Sequence, residues 1–471
     1  MYTVREEPFG ELGDISSSTM SFLCLFMVVI HLHASAFALP SSWCNGTSPP
    51  GYIPSNAIYF NTKSRYEEVN PYLISDILAV NESWVKPPSP QCKAAHLSVI
   101  IRHGTRYPTS GNIKKMIQFS KLVKSQADLR CVKELQTWKM WYKEDMDGRL
   151  VEKGRSDHRH LAQRLIKSFP TLITKENVEE GRVKFITSSK HRCVNSTLAF
   201  KHAVMEDLRI HGVDLPHTIN DSLMRFFDQC KRLVETVEKN KDAVMEVERF
   251  KDGPEMKRVL EKLADRLQLP YSNVTTDAVE TVFYLCAYEF TILSKNSPWC
   301  RLLDDADGRV LEYAGDLKQF WKRGFGHDIN SKASCILFHD LFRRLDAVAE
   351  QIRAGGRVSE VVMVQVGHAE TLLPLLTLLD LFKDDVPLNS SNFALHLARA
   401  FRSGRIVPYA ANLLMALFDC PNGLRLQARL NERPLTLPGL DDLSPLYQDV
   451  RKRYKQLLDG CNQDTVCALD S

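Results

Sequence analysis

The sequence has little net charge, because its 61 Lys and Arg residues are nearly balanced by 57 Asp and Glu residues over 471 positions. A nucleic-acid-binding protein normally has a high pI and clustered basic residues, so this balance argues against a nucleic-acid partner. An anionic ligand must therefore be attracted by local charge. The sequence also lacks an internal repeat, a CxxC pair and an HExxH motif, so no motif indicates a zinc site.

The N-terminal region lacks an apolar run long enough to span a bilayer, since its apolar stretch covers only Phe22 to Ile30. The small-residue pattern that ends at Ala38 predicts a signal peptide over residues 1–38, cleaved after Ala38. Cleavage would leave no stable membrane span. The segment before Met20 is acidic and has no basic region, so two alternatives stay open: Met20 as the working start, and a retained signal anchor.

Twelve cysteines are many for a cytosolic enzyme and predict disulfide bonds in an oxidising compartment. Loss of Cys24 with the leader would leave eleven, so at least one free thiol is expected. Cys461 and Cys467 are close in the chain and predict a small-loop disulfide. Six Asn-x-Ser/Thr sequences predict a glycoprotein of the secretory pathway. They begin at Asn45, Asn81, Asn195, Asn220, Asn273 and Asn389.

Short apolar runs predict strands buried on both faces, as in a parallel sheet covered by helices. These runs are His96–Ile101, Val183–Ile186 and Ser359–Val366. Apolar residues at helical spacing predict helices between them. The clearest helical segments are Gly154–Ser168, Glu255–Leu267 and Phe338–Ile352. From about residue 210 to 325 the patterns are helical, with no convincing strand.

This alternation predicts an α/β protein with an inserted, mostly helical domain. The first part of the α/β domain is expected over residues 39–205 and the second part over 331–471. The helical insertion is expected over 206–330.

Each predicted strand is followed at once by polar residues that suit phosphate chemistry. The first strand leads into RHGTRYP at 102–108, the second into SSKHR at 188–192, and the third into GHAE at 367–370. Ligands gather beyond the carboxyl ends of parallel strands, so these side chains are expected to meet. Each motif alone is weak, since it is also typical of a basic turn or a helix start. Their joint occurrence favours an active site.

The residue types predict phosphoryl transfer. Guanidinium groups offer planar N–H donors to phosphate oxygens, and Arg102, Arg106 and Arg192 can supply them, with His368 as a further donor. A neutral imidazole at His103 can attack phosphorus and form a phosphohistidine. Glu370 is the nearest acid that can protonate the leaving alkoxide.

These motifs resemble those of the histidine acid phosphatases of the phosphoglycerate-mutase-like superfamily. Longer segments resemble the branch that acts on multiple inositol polyphosphates, which has His-Ala-Glu where most acid phosphatases have His-Asp. They include residues 186–193, 367–376 and 401–410. The resemblance implies a three-layer α/β sandwich, His103 as the nucleophile and Glu370 as the proton donor. It implies a phosphate clamp formed by Arg102, Arg106, Arg192 and His368.

The resemblance further implies phytate and other inositol polyphosphates as substrates, 2,3-bisphosphoglycerate as another, and neither a metal nor a cofactor. Other basic residues are either contacts for neighbouring phosphates or a solvated surface. They are Lys114, Lys115, Lys190, His191, Lys322 and Arg323. The lumen of the endoplasmic reticulum is implied, but the chain ends in CALDS rather than a retention tetrapeptide, so secretion is equally open.

Two other functions stay open at this point. One is a broad-specificity acid phosphatase or a mutase of the same superfamily, and the other is a lumenal phosphate-binding protein without turnover. The presence of both His103 and Glu370 favours an enzyme, since an inactive relative would usually have lost one of them.

Overall fold

The computed structural model describes residues 53–469. The predicted leader over 1–38, with Cys24, and the sequon at Asn45 lie outside these described residues. Within 53–469, no helix has both the length and the apolar character needed to cross a membrane.

A seven-stranded mixed sheet runs through the described part of the chain. Its strands are β1 (Lys93–Arg102), β2 (Val183–Thr187), β3 (Thr218–Ile219), β4 (Val362–Gly367), β5 (Asn412–Asp419), β6 (Arg425–Leu430) and β7 (Arg433–Leu435). The order is β3-β2-β4-β1-β5-β6-β7. The strands from β3 to β1 pair in parallel, and β5, β6 and β7 continue the sheet in antiparallel fashion.

Within residues 53–469, eight α-helices have ten or more residues. They are α1 (Ser110–Gln126), α2 (Glu152–Ser168), α3 (His191–Asp207), α4 (Pro254–Leu267), α5 (Thr276–Leu293), α6 (Asp305–Arg323), α7 (Cys335–Arg353) and α8 (Ala369–Leu378). Shorter α-helices span Tyr66–Val69, Glu82–Val85, Glu134–Thr137, Lys175–Glu179, Asp221–Met224, Phe226–Gln229, Lys231–Leu233, Met245–Lys251, Asp328–Lys332, Ser403–Ile406, Tyr447–Arg453, Lys455–Gly460 and Gln463–Cys467.

Alternate side chains of the central strands enter two separate cores, because successive residues of a strand point to opposite faces. Leu97, Val99 and Ile101 of β1 pack in one core with residues of α2 and α3. Ile100 of β1 and Met363 of β4 pack in the larger core, to which the other six long helices contribute. Helices therefore cover both faces of the sheet, and the predicted three-layer α/β sandwich is confirmed.

The three predicted strands and three predicted helices are present, each with ends within a few residues of its predicted limits. The expectation of no strand between 210 and 325 is wrong for β3, whose two exposed residues are too few to form a recognisable apolar run. The antiparallel strands β5 to β7 were not expected either. The boundaries of the inserted helical domain remain a prediction.

The predicted disulfide between Cys461 and Cys467 is wrong. Cys461 is bonded to Cys335, and Cys467 is bonded to Cys230. Cys461 and Cys467 lie at opposite ends of the short helix Gln463–Cys467, so each pairs with a different segment of the chain. Two further disulfides join Cys92 to Cys420 and Cys286 to Cys300. The expected free thiol is the buried Cys193.

A buried ion-pair cluster fixes the segment that precedes β5. The guanidinium group of Arg399 donates to the carboxylates of Glu312 and Asp316 on α6. Asp316 also accepts a hydrogen bond from the backbone N–H of Ser403 at 2.8 Å. The backbone carbonyl of Val407 is thereby held in place, and it is one of the groups that anchor Arg102.

Two glycines allow the loop after β1 to lie directly against α2. A Cβ atom on Gly104 would lie 2.2 Å from the carbonyl oxygen of Gly154, and a Cβ atom on Gly154 would lie 2.1 Å from the carbonyl oxygen of Thr105. Asp157 of α2 accepts hydrogen bonds from the N–H and the hydroxyl of Thr105, at 3.1 and 2.7 Å. The loop that carries His103 is therefore positioned by backbone contact.

Gly154→Ala should push this loop away from α2. We expect a loss of about 1–3 kcal/mol in the free energy of unfolding, as for other overpacked sites. We also expect up to about 100-fold lower turnover, since small displacements of a reacting group have large effects on rate. Gly111→Ala is the control, because a Cβ atom there meets nothing within 4 Å. Thermal unfolding, and assays of the phosphatase activity that the resemblance implies, would contradict this prediction if the two variants behaved equally.

His158 of α2 supports the end of β1 from within the core. Its Nε2–H donates to the carbonyl oxygen of Arg102 at 3.1 Å, and its buried Nδ1 has no hydrogen-bond partner among residues 53–469. Burial lowers the pKa of His158 to about 4. The unfolded chain has the ordinary histidine pKa of about 6.5, so protonation below that pH favours unfolding.

The stability that comes from a neutral His158 should therefore be complete above about pH 6.5 and be lost as the pH falls towards 4. Relative to His158→Gln, the wild-type free energy of unfolding should fall by about 3 kcal/mol more over this interval. His211→Gln, at an exposed position, should keep the wild-type slope. Urea unfolding at several pH values would measure it, and parallel curves for wild type and His158→Gln would contradict the assignment.

Candidate active site

The candidate site lies at the carboxyl ends of three neighbouring parallel strands, β2, β4 and β1. The rings of His103, after β1, and His368, after β4, have centroids 5.6 Å apart. Arg192 in the first turn of α3 donates from Nη2 to Nδ1 of His368 at 3.3 Å. The structure thus brings the three predicted motifs together at one edge of the sheet.

His103 is held as a neutral imidazole whose Nε2 has no hydrogen-bond partner among the described residues. Its Nδ1–H donates to the carbonyl oxygen of Gly104 at 2.9 Å, and its backbone N–H donates to the carbonyl oxygen of Gly367, also at 2.9 Å. Since the carbonyl can only accept, the ring proton lies on Nδ1. Burial, followed by the charges of Arg192 and Arg102, holds the pKa of His103 well below its usual value. A neutral imidazole is the nucleophilic form.

Arg102 and Arg106 are anchored by neutral acceptors. Arg102 Nη1 donates to the carbonyl oxygens of Thr62 and Val407, at 2.7 and 2.6 Å. Arg106 Nη1 donates to the hydroxyl oxygen of Tyr288 on α5 at 3.2 Å and to the carbonyl oxygen of its neighbour, Tyr107, at 2.8 Å. Carbonyl and hydroxyl partners fix the two side chains, and neither arginine forms an ion pair with a carboxylate of residues 53–469.

All three clamp arginines retain an unused donor. The Nε atoms of Arg102, Arg106 and Arg192 are buried and have no hydrogen-bond partner among the described residues. Buried N–H donors are normally paired, because an unpaired one loses its hydration without replacement. Three such donors around one imidazole form a receptor for an oxyanion with several oxygens, as a phosphate group has.

His368 is a second neutral imidazole of the cluster. It accepts from Arg192 at Nδ1, so its proton lies on Nε2 and is donated to the hydroxyl oxygen of Ser188 at 2.9 Å. Burial and then the charge of Arg192 lower the pKa of His368 to about 3. Its backbone N–H donates to the hydroxyl of Thr371 at 2.9 Å. This hydrogen bond caps α8, whose first residue is Ala369.

Glu370 lies in the first turn of α8, two residues after His368. Burial favours its protonated form, but the positive charges of Arg323 and Arg102, together with His368, outweigh burial and lower the pKa of Glu370 to about 2. The carboxyl group is therefore ionised in the free protein. Its negative charge faces a positively charged cluster.

The additional basic residues do not all lie at this cluster. Lys114 and Lys115 are at the surface and pair with Glu144 and Asp277. Lys190 and His191 are exposed at the start of α3, although burial of the ring and the charges of Arg149 and Arg155 lower the pKa of His191.

Lys322 and Arg323, at the end of α6, both pair with Glu238. Arg323 nevertheless lies near enough to Glu370 to lower the pKa of that carboxyl. The structure therefore brings Arg323 to the cluster, as an ion-paired side chain.

Several side chains of the site had no role assigned from the sequence. Tyr288 binds Arg106, Tyr409 lies under the guanidinium group of Arg102 at 4.5 Å, and Ser188 binds His368. Ser188 and Tyr409 lie in segments that carry the family resemblance, and that resemblance was the sequence signal from which their part in the site could have been predicted. Lys63 lies near Arg106 and Arg102; burial first, and then the charges of its basic neighbours, lower its pKa.

Solved structures share this fold. A phytase from D. castellii superposes with a TM-score of 0.69 over 88% of each chain, at 15% identity. A multiple inositol polyphosphate phosphatase from Bifidobacterium longum, solved in complex with inositol hexasulfate, superposes with a TM-score of 0.63. That match covers 81% of this chain and 93% of the other, at 14% identity.

Residues 95–436 match the family model of the histidine phosphatase superfamily, branch 2. Multiple inositol polyphosphate phosphatase 1 of Gallus gallus is 43% identical, over 87% of this chain and 92% of its own. The Homo sapiens protein of the same name is 42% identical, over 93% of this chain and 94% of its own. Since both matches span nearly the whole chain, the protein belongs to branch 2 of the histidine phosphatase superfamily, among the multiple inositol polyphosphate phosphatases.

Proposed function

We propose that this chain hydrolyses phosphate monoesters of inositol polyphosphates, phytate among them, through a phosphohistidine at His103. The observation that carries the proposal is a free Nε2 on a neutral, buried imidazole surrounded by the unpartnered Nε donors of Arg102, Arg106 and Arg192. The names of the relatives support the substrate class, since two that are 42–43% identical are multiple inositol polyphosphate phosphatases.

In the proposed reaction, the three guanidinium groups bind the oxygens of the phosphate to be removed, and His368 joins them by turning its Nε2–H from the Ser188 hydroxyl to a phosphate oxygen. The positive charge of the guanidinium groups neutralises the phosphate, which would otherwise repel a nucleophile. Nε2 of His103 then attacks phosphorus in line with the leaving oxygen, and the P–O bond to the inositol breaks. The Gly104 carbonyl stabilises the Nδ1–H of the resulting phosphohistidine. Water finally hydrolyses the P–N bond and regenerates the neutral imidazole.

Glu370 is the proposed proton donor to the leaving alkoxide. It is ionised in the free protein because positive charges hold its pKa at about 2. A bound phosphate offsets those same charges, so substrate binding raises the pKa of Glu370 and lets it take up a proton. After the alcohol has left, the carboxylate can accept a proton from the attacking water.

2,3-Bisphosphoglycerate is a further proposed substrate, since it too presents a phosphate monoester beside other negative charges. We propose the secretory pathway as the location, in the endoplasmic reticulum lumen or outside the cell. The disulfides of the described residues support an oxidising compartment.

Rapid quenching with ³²P-labelled phytate should trap label on the wild-type protein as a base-stable, acid-labile adduct, the behaviour of phosphohistidine. His103→Ala should incorporate no label and have no turnover, because the attacking atom is gone. His368→Ala is the matched control: it removes the other imidazole of the cluster but leaves the nucleophile, so label should still appear. Labelled 2,3-bisphosphoglycerate tests the second substrate in the same way. Label on His103→Ala would refute the assignment.

Glu370→Gln should lower kcat/KM for phytate by roughly 10²–10⁴, the usual contribution of a general acid. The loss should be much smaller for p-nitrophenyl phosphate, whose leaving group needs little protonation. kcat/KM is the right measure because it reports only the steps up to phosphoenzyme formation. Glu350→Gln, at an exposed carboxylate of α7, should behave as wild type. An equal loss with both substrates would exclude Glu370 as the proton donor.

A further inference from the structure

Lys63 lies close to Arg102 and Arg106 of the phosphate clamp. The preceding residue, Thr62, supplies the carbonyl oxygen that anchors Arg102. The Lys63 ammonium group lies 4.8 Å above the ring of Tyr284 on α5. Tyr284 is one helical turn before Tyr288, whose hydroxyl binds Arg106. Lys63 is therefore linked to Arg102 through the neighbouring Thr62 carbonyl, and to Arg106 through α5.

The positive charge of Lys63 has no counter-ion. Its ammonium group forms no ion pair or hydrogen bond with an acidic side chain of residues 53–469, although the side chain is partly buried. Lys318 of α6 is likewise without an ion pair in this part of the chain, and its charge acts on Lys63. A desolvated ammonium group without a carboxylate is costly, unless a ligand supplies the missing negative charge.

Four other basic residues differ from Lys63 in this respect. Each of the four already pairs with a carboxylate, which would compete with a phosphate group for the cation. Lys322 and Arg323 pair with Glu238, Lys114 pairs with Glu144, and Lys115 pairs with Asp277. Lys63 differs from these four residues because no carboxylate of residues 53–469 pairs with its positive charge.

We propose that Lys63, assisted by Lys318, binds a second phosphate group of the substrate while the clamp holds the phosphate that is being removed. The inference rests on the proposed function and extends it, since it makes Lys63 a residue that selects polyphosphates over monophosphates. An inositol polyphosphate carries phosphates on adjacent ring carbons. When one of them lies in the clamp, a neighbour can contact an ammonium group at the rim.

The charges around Lys63 give this contact a pH dependence. Burial first, and then the charges of Arg106, Lys318 and Arg102, lower the pKa of Lys63 to about 7, against a smaller opposing effect of Glu280. Tyr284 faces the ammonium group from α5. A bound phosphate would restore the pKa of Lys63, so that a neutral Lys63 takes up one proton from solvent when the substrate binds.

Steady-state kinetics with phytate and with p-nitrophenyl phosphate tests the proposal. In Lys63→Met, which keeps the apolar stem, the ratio of KM for phytate to KM for the aryl phosphate should rise roughly 10- to 100-fold. This is the effect of one lost charge-assisted hydrogen bond. The kcat for phytate should change much less than KM. Lys332→Met is the control, since Lys332 is an exposed lysine that pairs with Asp328.

Lys63→Arg separates charge from packing and also covers the case in which Lys63→Met folds poorly. It should keep KM for phytate within about threefold of wild type, since a guanidinium group binds phosphate as well. It should also lose the wild-type decrease in kcat/KM for phytate above pH 7, because arginine does not titrate there.

An unchanged KM ratio in Lys63→Met, with phytate still hydrolysed, would overturn the second phosphate site and leave the proposed function standing. Failure of the wild-type protein to hydrolyse phytate would overturn the proposed function, and this site with it.

Discussion

The chemistry depends on one electrostatic arrangement: three guanidinium groups surround an imidazole that must stay neutral. Like charges repel, and a carboxylate partner for each arginine would relieve the repulsion but would also occupy the phosphate site. The fold instead anchors Arg102 and Arg106 on carbonyl and hydroxyl oxygens, and Arg192 on a neutral His368. The arginines are thereby fixed without being neutralised. Burial first, and then the charge of these arginines, holds the pKa of His103 well below its usual value, which keeps the ring neutral for its attack on phosphorus.

Distant parts of the chain meet to hold this arrangement. The two carbonyl groups that anchor Arg102 belong to Thr62 and Val407, which are 345 residues apart in the sequence. The Val407 segment is fixed by buried ion pairs to α6, and the loop after β1 rests on α2 through two facing glycines. The buried His158 and the buried ion pairs of α6 therefore hold the backbone segments that form the site, although burying these polar groups costs folding free energy.

Much of the site could be predicted from sequence because it follows local rules. β1, β2 and β4 are short, nearly continuous apolar runs, and the residues directly after them were bound to meet at one sheet edge. That reasoning predicted the meeting of His103, Arg192 and His368. It could not find Tyr288 or the anchor at Thr62, because those contacts are made between elements far apart in sequence and leave no local pattern.

The remaining differences have equally physical causes. β5 contains a nearly continuous apolar run from Leu413 to Phe418. Asn422-Gly423, which precedes β6, is a strong turn signal. The antiparallel pairing of β5 with β6 could therefore have been predicted from the sequence. The partners of Cys461 and Cys467 could not be predicted, because disulfide pairing depends on tertiary structure rather than on spacing in the sequence. The missing counter-ion of Lys63 likewise emerged only once its neighbours were placed.

The central claim is that His103 is a neutral imidazole with its proton on Nδ1, inside a cage of positive charge. ¹⁵N-histidine NMR of the free protein, with the His103 signals assigned by comparison with His103→Ala, tests this directly. The account predicts an Nδ1–H tautomer that remains neutral well below pH 6.5, the ordinary histidine pKa being about that value. A His103 ring that is protonated at pH 6, or that carries its proton on Nε2, would contradict it.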